Sequence, residues 1–107
     1  MRAETAATSI PRSVRVAVWL RDGGECIICR RPVPVECACA HIVRRSQGGL
    51  GIEKNVVTLC PICHRELDEG KDADVFMAMV LAHIKEYFPD WKREQCIYHK
   101  GGNNEFI

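Results

Sequence analysis

The chain has 107 residues, 27% of them charged and 47% hydrophobic, with a formal net charge of +1 and seven cysteines. That length fits one small domain whose apolar core alone stabilises it only marginally, so a metal staple would add appreciably to folding. No apolar run is long enough to span a bilayer and the opening MRAETAATSIPRSVR lacks the hydrophobic stretch of a signal peptide, which excludes a membrane protein and leads us to expect a cytoplasmic one.

Residues 1–10 are small and polar and read as a flexible N-terminal arm, with Pro11 opening a single domain over 11–100 and a tail at 101–107. From Ser13, a plausible N-cap, SVRVAVWLRD sets Val14, Ala17 and Val18 at i, i+3 and i+4, and Gly23-Gly24 is a stop signal, so a short helix is predicted. Residues 35–43 and 55–59 are β-branched and apolar, and the intervening RRSQGGLGIEK is rich in turn residues; together they read as a hairpin with a long loop. After Cys60-Pro61 a helix runs to Gly70, giving a ββα core over about 35–70. A last helix over about 72–88 carries Val75, Phe76, Met79, Val80, Ile84 and Tyr87 as a broad apolar stripe before Pro89. There is no internal repeat.

Chemistry concentrates in the cysteines. Cys26-Ile-Ile-Cys29 and Cys60-Pro-Ile-Cys63 are two Cys-x-x-Cys pairs about thirty residues apart, and each short pair turns two thiolates toward one point, the pattern of a structural zinc site. An odd cysteine count in a reducing compartment argues against a disulfide framework. Cys37 and Cys39, two apart on a predicted strand, face one side; they read as small buried hydrophobes, with a second metal pair the alternative. Trp19 and Trp91 are expected to pack, and neither His83 nor His99 is assigned a role.

Charge is unevenly spread. Residues 1–65 hold ten Lys/Arg against five Asp/Glu, whereas residues 66–107 hold five against nine, so the basic excess falls on the half with the cysteine pairs. Arg12, Arg15, Arg21, Arg30, Arg31, Arg44, Arg45 and Lys54 are candidates for a phosphate-facing surface, since neutralising phosphates supplies most sequence-independent affinity for DNA.

The zinc-stapled loop carries His41, then Asn55, and His64 abuts the last zinc cysteine. From about Ser13 to Asp68, and above all over the run from His41 to Cys60 (HIVRRSQGGLGIEKNVVTLC), the chain resembles phage-type HNH endonucleases. The resemblance implies an α+β fold: a small zinc-stapled ββα-metal, or His-Me finger, domain with flanking N-terminal and C-terminal helices. It also implies hydrolysis of a phosphodiester in DNA with a catalytic divalent cation beside the structural Zn²⁺. His41 then takes the role of general base, because an imidazole titrates near neutral pH and can accept a proton from water. Asn55 resembles the residue that fixes the loop and the histidine, and His64 joins the catalytic set. His64 and Asp68 lie four apart on the predicted helix, so imidazole and carboxylate share a face and can share Mg²⁺, Mn²⁺ or another divalent cation. Arg44, Arg45, Lys54 and Arg65 are the DNA-binding candidates.

One departure stands out. HNH proteins commonly place Asp, Glu or His directly before the base as a metal ligand, and here that residue is Ala40. Either the cation keeps more water, or Asp68 takes the load, or catalysis is weak with substrate phosphate completing the site. A metal-dependent endonuclease is the leading reading and a zinc-stapled DNA-binding module that has lost hydrolysis the alternative. Phage packaging or restriction machinery are the expected partners besides DNA, with oligomeric state and nicking versus double-strand cleavage left open.

Overall fold

The computed structural model of the chain describes residues 3–99; the expected tail at 101–107 lies outside them. The segment read as a flexible arm instead holds a helix, α1 (Ala3–Thr8), of sequence AETAAT with Glu4 in its first turn. Alanine favours the helix and Glu4 suits the positive N-terminus, but six residues cannot outweigh the cost of helix nucleation alone. Tertiary contacts hold it: Thr8 is buried, the Gly51 N–H donates to the Ala7 carbonyl at 3.0 Å, and a Cβ at Gly51 would overlap the carbonyl of Ser9.

Helix α2 (Arg12–Arg21) starts one residue before the predicted cap: extended Pro11 (φ −62°, ψ 153°) is the N-cap and Ser13 lies inside the first turn. Its inward residue Val18 is fully buried with Ala38 and Val56, and Ile10, Val14 and Trp19 pack around them. The chain then reverses through Gly23 and Gly24, both at positive φ (76° and 71°), where a side chain would be strained. Trp19 packs as expected, its Nε1 donating to the Val33 carbonyl at 2.9 Å.

A Glu25–Pro32 bridge encloses the first cysteine pair, with the Cys26 N–H donating to Arg31 O. The predicted hairpin is present but much shorter. Strands β1 (Ala40–His41) and β2 (Val56–Val57) pair antiparallel, Ala40 opposite Val57 and His41 opposite Val56, while 35–37 and 53–55 are single 3₁₀ turns. Two competing hydrogen bonds explain the shortening. The Cys37 N–H closes a turn onto Pro34 O, and at Ile42 the ladder stops because the Asn55 N–H, which would return a bond to Ile42 O, closes a 3₁₀ turn onto Ile52 O at 2.9 Å instead.

Helix α3 (Pro61–Glu69) opens with proline at its first position, where no N–H is needed, and the Cys60 sulfur caps it by accepting from the Cys63 N–H at 3.4 Å. It packs against α4 (Ala73–Tyr87) through Leu67, Val80 and Ile84, joined by Phe76, Met77 and Leu81. Val75, Met79 and Tyr87, assigned to the same stripe by sequence, are exposed: the i, i+4 row Phe76–Val80–Ile84 defines the inward face and they lie off it.

A polar knot joins these layers. The Asp22 carboxylate, fully buried, accepts from Arg21 Nε and His83 Nε2 (both 2.8 Å) on Oδ1, and from the Thr58 N–H (2.9 Å) and Arg21 Nη2 (3.2 Å) on Oδ2. Burial alone would raise its pKa, but the bonds from His83 and Arg21, the Arg21 charge and the Thr58 amide bring it below the ordinary carboxylate value. Arg21 also donates to the Glu53 and Val56 carbonyls at 2.8 Å, so this arginine ties α2 to the hairpin instead of facing phosphate. His83, given no role from sequence, anchors α4 to the same carboxylate.

Candidate active site and zinc cluster

The two cysteine pairs converge. The Sγ atoms of Cys26, Cys29, Cys60 and Cys63 all lie within 4.8 Å of one another, and Cys29 and Cys60 are 3.7 Å apart. Sulfurs about 2.3 Å from a tetrahedral centre stand roughly 3.8 Å from each other, so the donor set fits Zn²⁺ in both chemistry and size. Three of the four are buried and Cys29 is exposed. A hydrogen bond from the Arg31 backbone draws Cys29 down to about 7, whereas burial and its thiol neighbours push Cys63 up. A divalent cation resolves this opposition by stabilising all four thiolates. Cys37 and Cys39 do not share a strand face, since Cys37 sits in a 3₁₀ turn. Cys96 is fully buried and its thiol points at the Lys54 carbonyl.

On the other side of β1 and α3 lies an open cleft of about 370 Å³, lined by Cys39, His41, Arg44, Arg45, Ser46, His64, Asp68 and Glu69. The hairpin delivers His41 and the capped helix delivers His64 and Asp68. One helical turn brings His64 Nε2 to 3.4 Å from Asp68 Oδ2, both side chains partly exposed to the cleft. An imidazole nitrogen and a carboxylate oxygen so juxtaposed could together hold a divalent cation that accepts mixed N and O ligands.

His41 is half-buried. Its Nε2 lies 2.9 Å from the Thr8 carbonyl oxygen. A carbonyl only accepts, so Nε2 carries the proton and Nδ1 keeps the lone pair. Burial lowers the His41 pKa; the Thr8 bond opposes this, and electrostatic interaction with Arg45, His64 and Arg15 acts in the same sense as burial. The ring is therefore neutral, and able to accept a proton, to lower pH than an ordinary histidine.

Asn55 is not in the cleft. It is fully buried, its Oδ1 accepting from the Val43 N–H while its Nδ2 donates to the carbonyls of Val43 (3.2 Å) and Leu50 (2.8 Å). It thus pins both ends of the 43–50 loop directly after His41 and acts through position, not contact. Arg44 and Arg45 rim the cleft, Arg44 bonded to the Asp68 carbonyl and Arg45 to the hydroxyls of Thr8 (3.4 Å) and Ser9 (3.3 Å). Arg65 is exposed on α3 beside His64. Lys54 lies apart from the cleft: its ammonium donates to Gln95 at 3.1 Å and sits 5.5 Å from the Phe88 ring centroid, on residues that do not line it.

Ala40 explains its own departure. It is fully buried in the main core with Val57 and Leu59, so its Cβ does not face the cleft at all. The neighbour that does is Cys39, which strand alternation puts on the His41 side. The sequence carried that signal in the i, i+2 spacing of Cys39 and His41. Nothing in it pointed to Thr8, and Ser46 and Glu69 needed the fold.

The model of the HNH endonuclease family matches residues 26–70, the stretch that holds both cysteine pairs, His41, Asn55, His64 and Asp68. The short hairpin, α3 and the four converging cysteines of this stretch are consistent with a zinc-stapled ββα-metal form of that domain. The chain is similar to the type IV methyl-directed restriction enzyme EcoKMcrA of Escherichia coli (strain K12), 41% identical over 44 residues. That similarity covers 41% of this chain and 16% of the relative's length. No helix among the described residues is long and apolar enough to cross a membrane.

Proposed function

We propose that the protein is a metal-dependent DNA endonuclease in which His41 is the general base and His64 and Asp68 hold the catalytic cation. The observation that carries this reading is the convergence of a neutral imidazole with a free Nδ1, an imidazole–carboxylate pair and two arginines in one open cleft. A phosphodiester entering between Arg44 and Arg45 has its charge offset at the rim. His41 Nδ1 takes a proton from an attacking water as the new oxygen–phosphorus bond forms and the bond to the leaving oxygen breaks. Bound at His64 and Asp68, Mg²⁺ or Mn²⁺ would stabilise the negative charge that builds on the phosphate and leaving oxygens. Zn²⁺ at the four cysteines would fix the distance between hairpin and helix. The restriction function in the relative's name makes a restriction setting more supported for this chain than phage packaging.

The test is nicking of supercoiled plasmid by purified protein with Mg²⁺, with Mn²⁺ and with EDTA. Cation-dependent nicking is expected, and His41→Ala should lower it about 10²-fold or more with DNA affinity retained, because a general base acts in the transition state. The acid limb of the rate profile should fall below pH 6.5, as the lowered His41 pKa requires. Asp68→Ala should raise the cation concentration needed. Binding of DNA without cleavage under every cation would favour the non-hydrolytic module instead.

A further inference from the structure

Helix α1 lies outside the residues matched to the HNH family, yet Thr8 at its C-terminal end and Ser9 after it bond to residues of the cleft, while Ala7 ties the helix to Gly51. Ala7 O accepts from the Gly51 N–H, Thr8 O from His41 Nε2, and the hydroxyls of Thr8 and Ser9 from Arg45. Ser9 closes the helix by donating its own N–H (3.1 Å) and hydroxyl (2.7 Å) to Thr5 O, which fixes where these carbonyls point. We propose that α1 is a positioning element of the active site, its Thr8 carbonyl selecting the His41 tautomer with Nδ1 free and holding the ring toward the cleft. This rests on the nuclease reading given above.

The physical argument is one of competition. An imidazole whose Nε2 faced water would exchange protons between its nitrogens and rotate about χ2, and only part of that ensemble would aim a lone pair at the substrate. A buried carbonyl 2.9 Å away accepts and never donates, so a flipped or Nδ1-protonated ring loses the bond and leaves the carbonyl unpaired. The same residue contacts Arg45, which couples the base to the phosphate-facing rim. Docking of α1 depends on the missing side chain at Gly51, where a Cβ would overlap Ser9 O.

The experiment is ring ¹⁵N NMR of His41 in the zinc-loaded full chain, beside plasmid nicking. A single Nε2–H tautomer with a slowly exchanging proton is expected. Gly51→Ala, and separately deletion of residues 1–9, should average the ring nitrogen signals, move the acid limb of the rate profile toward pH 6.5 as burial is relieved, and lower the nicking rate about 10- to 100-fold. Thr8→Val keeps the carbonyl and should keep the single tautomer. Retained zinc content marks the variants that remain folded. An Nδ1–H tautomer in the full chain overturns the proposal even if neither variant folds, as does an unchanged tautomer and rate in a variant that has lost α1. An Nε2–H tautomer in a protein that nicks nothing would instead count against the nuclease reading and leave the positioning intact.

Discussion

Replacing Asn55 tests whether the loop after the base is held by one side chain. Asn55→Ala strands the Val43 N–H and the carbonyls of Val43 and Leu50, all bonded to an amide with no solvent exposure. Each buried polar group left unpaired costs about 1–3 kcal/mol, so the three together cost roughly 3–6 kcal/mol once partial entry of water is allowed. A domain of this size has a total stability of about 5–15 kcal/mol, so the variant should retain only a fraction of it. At about 4 °C or more per kcal/mol, the thermal midpoint of zinc-saturated protein should fall by about 12 °C or more. Asn55→Asp refines the test, because it keeps shape and the acceptor for Val43 while turning two donated bonds into oxygen–oxygen contacts. Facing two carbonyls, the new carboxyl must have a raised folded pKa: the folded state binds more protons than the unfolded one, and the deficit relative to the parent shrinks as pH falls. Far-UV circular dichroism melts of parent and both variants at pH 8 and pH 6 supply the comparison. A midpoint for Asn55→Ala within about 3 °C of the parent would refute the clamp.

Three further outcomes follow from other parts of the molecule. Cys26→Ser, or a chelator strong enough to strip Zn²⁺, should abolish cooperative folding, since structural zinc binding contributes about 10–16 kcal/mol in small zinc-finger peptides; soluble, folded protein with no stoichiometric zinc by elemental analysis would contradict this. Asp22→Ala should cost about 3–5 kcal/mol by leaving Arg21 buried without its carboxylate, and in the parent the Asp22 contribution, present above the ordinary carboxylate pKa of 3.8, should be lost as pH falls through the lower folded value, both readable by denaturant titration. Ala40→Asp should destabilise by about 3–5 kcal/mol by burying an unpaired carboxylate, whereas Cys39→Asp, on the cleft side, should fold normally and lower the Mg²⁺ needed for nicking; a stable Ala40→Asp protein with a lowered Mg²⁺ requirement would reverse that assignment of faces.

What could be read in the sequence was what spacing dictates. Two Cys-x-x-Cys pairs converge because each pair is a local turn, and His64 meets Asp68 because four residues are one helical turn. The helices over 12–21, 61–69 and 73–87 announced themselves through periodicity, Pro61 and Gly70. Strand length did not, because a turn competes for the ladder's donor: the Asn55 N–H goes to Ile52 O instead of Ile42 O. Residues 3–8 read as an arm because their partners lie far along the chain. Their helix is held by Gly51 and the cleft, and no local pattern in AETAAT reveals a partner more than forty residues away. Lys54 and Arg21 counted as basic residues in the charge balance, yet each spends its donors on the protein's own carbonyl, amide or carboxylate oxygens.

The Ala40 position brings these strands of argument together. A missing ligand before the base suggested a weakened metal site, on the assumption that residue 40 faces the substrate. In β1 the alternation of side chains points Ala40 toward Val57 and Leu59 and turns Cys39 and His41 to the cleft, so a carboxylate at 40 would meet the core and not a cation. Alanine there is the answer to a packing demand. On the proposed reading, the carboxylates left to hold a cation are those of α3, where Asp68 stands one turn from His64 and Glu69 lines the same cleft. On that reading the cation would sit on one helix whose first turn is capped by Cys60, so any motion of Cys60 and Cys63 would displace His64, which follows them in the chain.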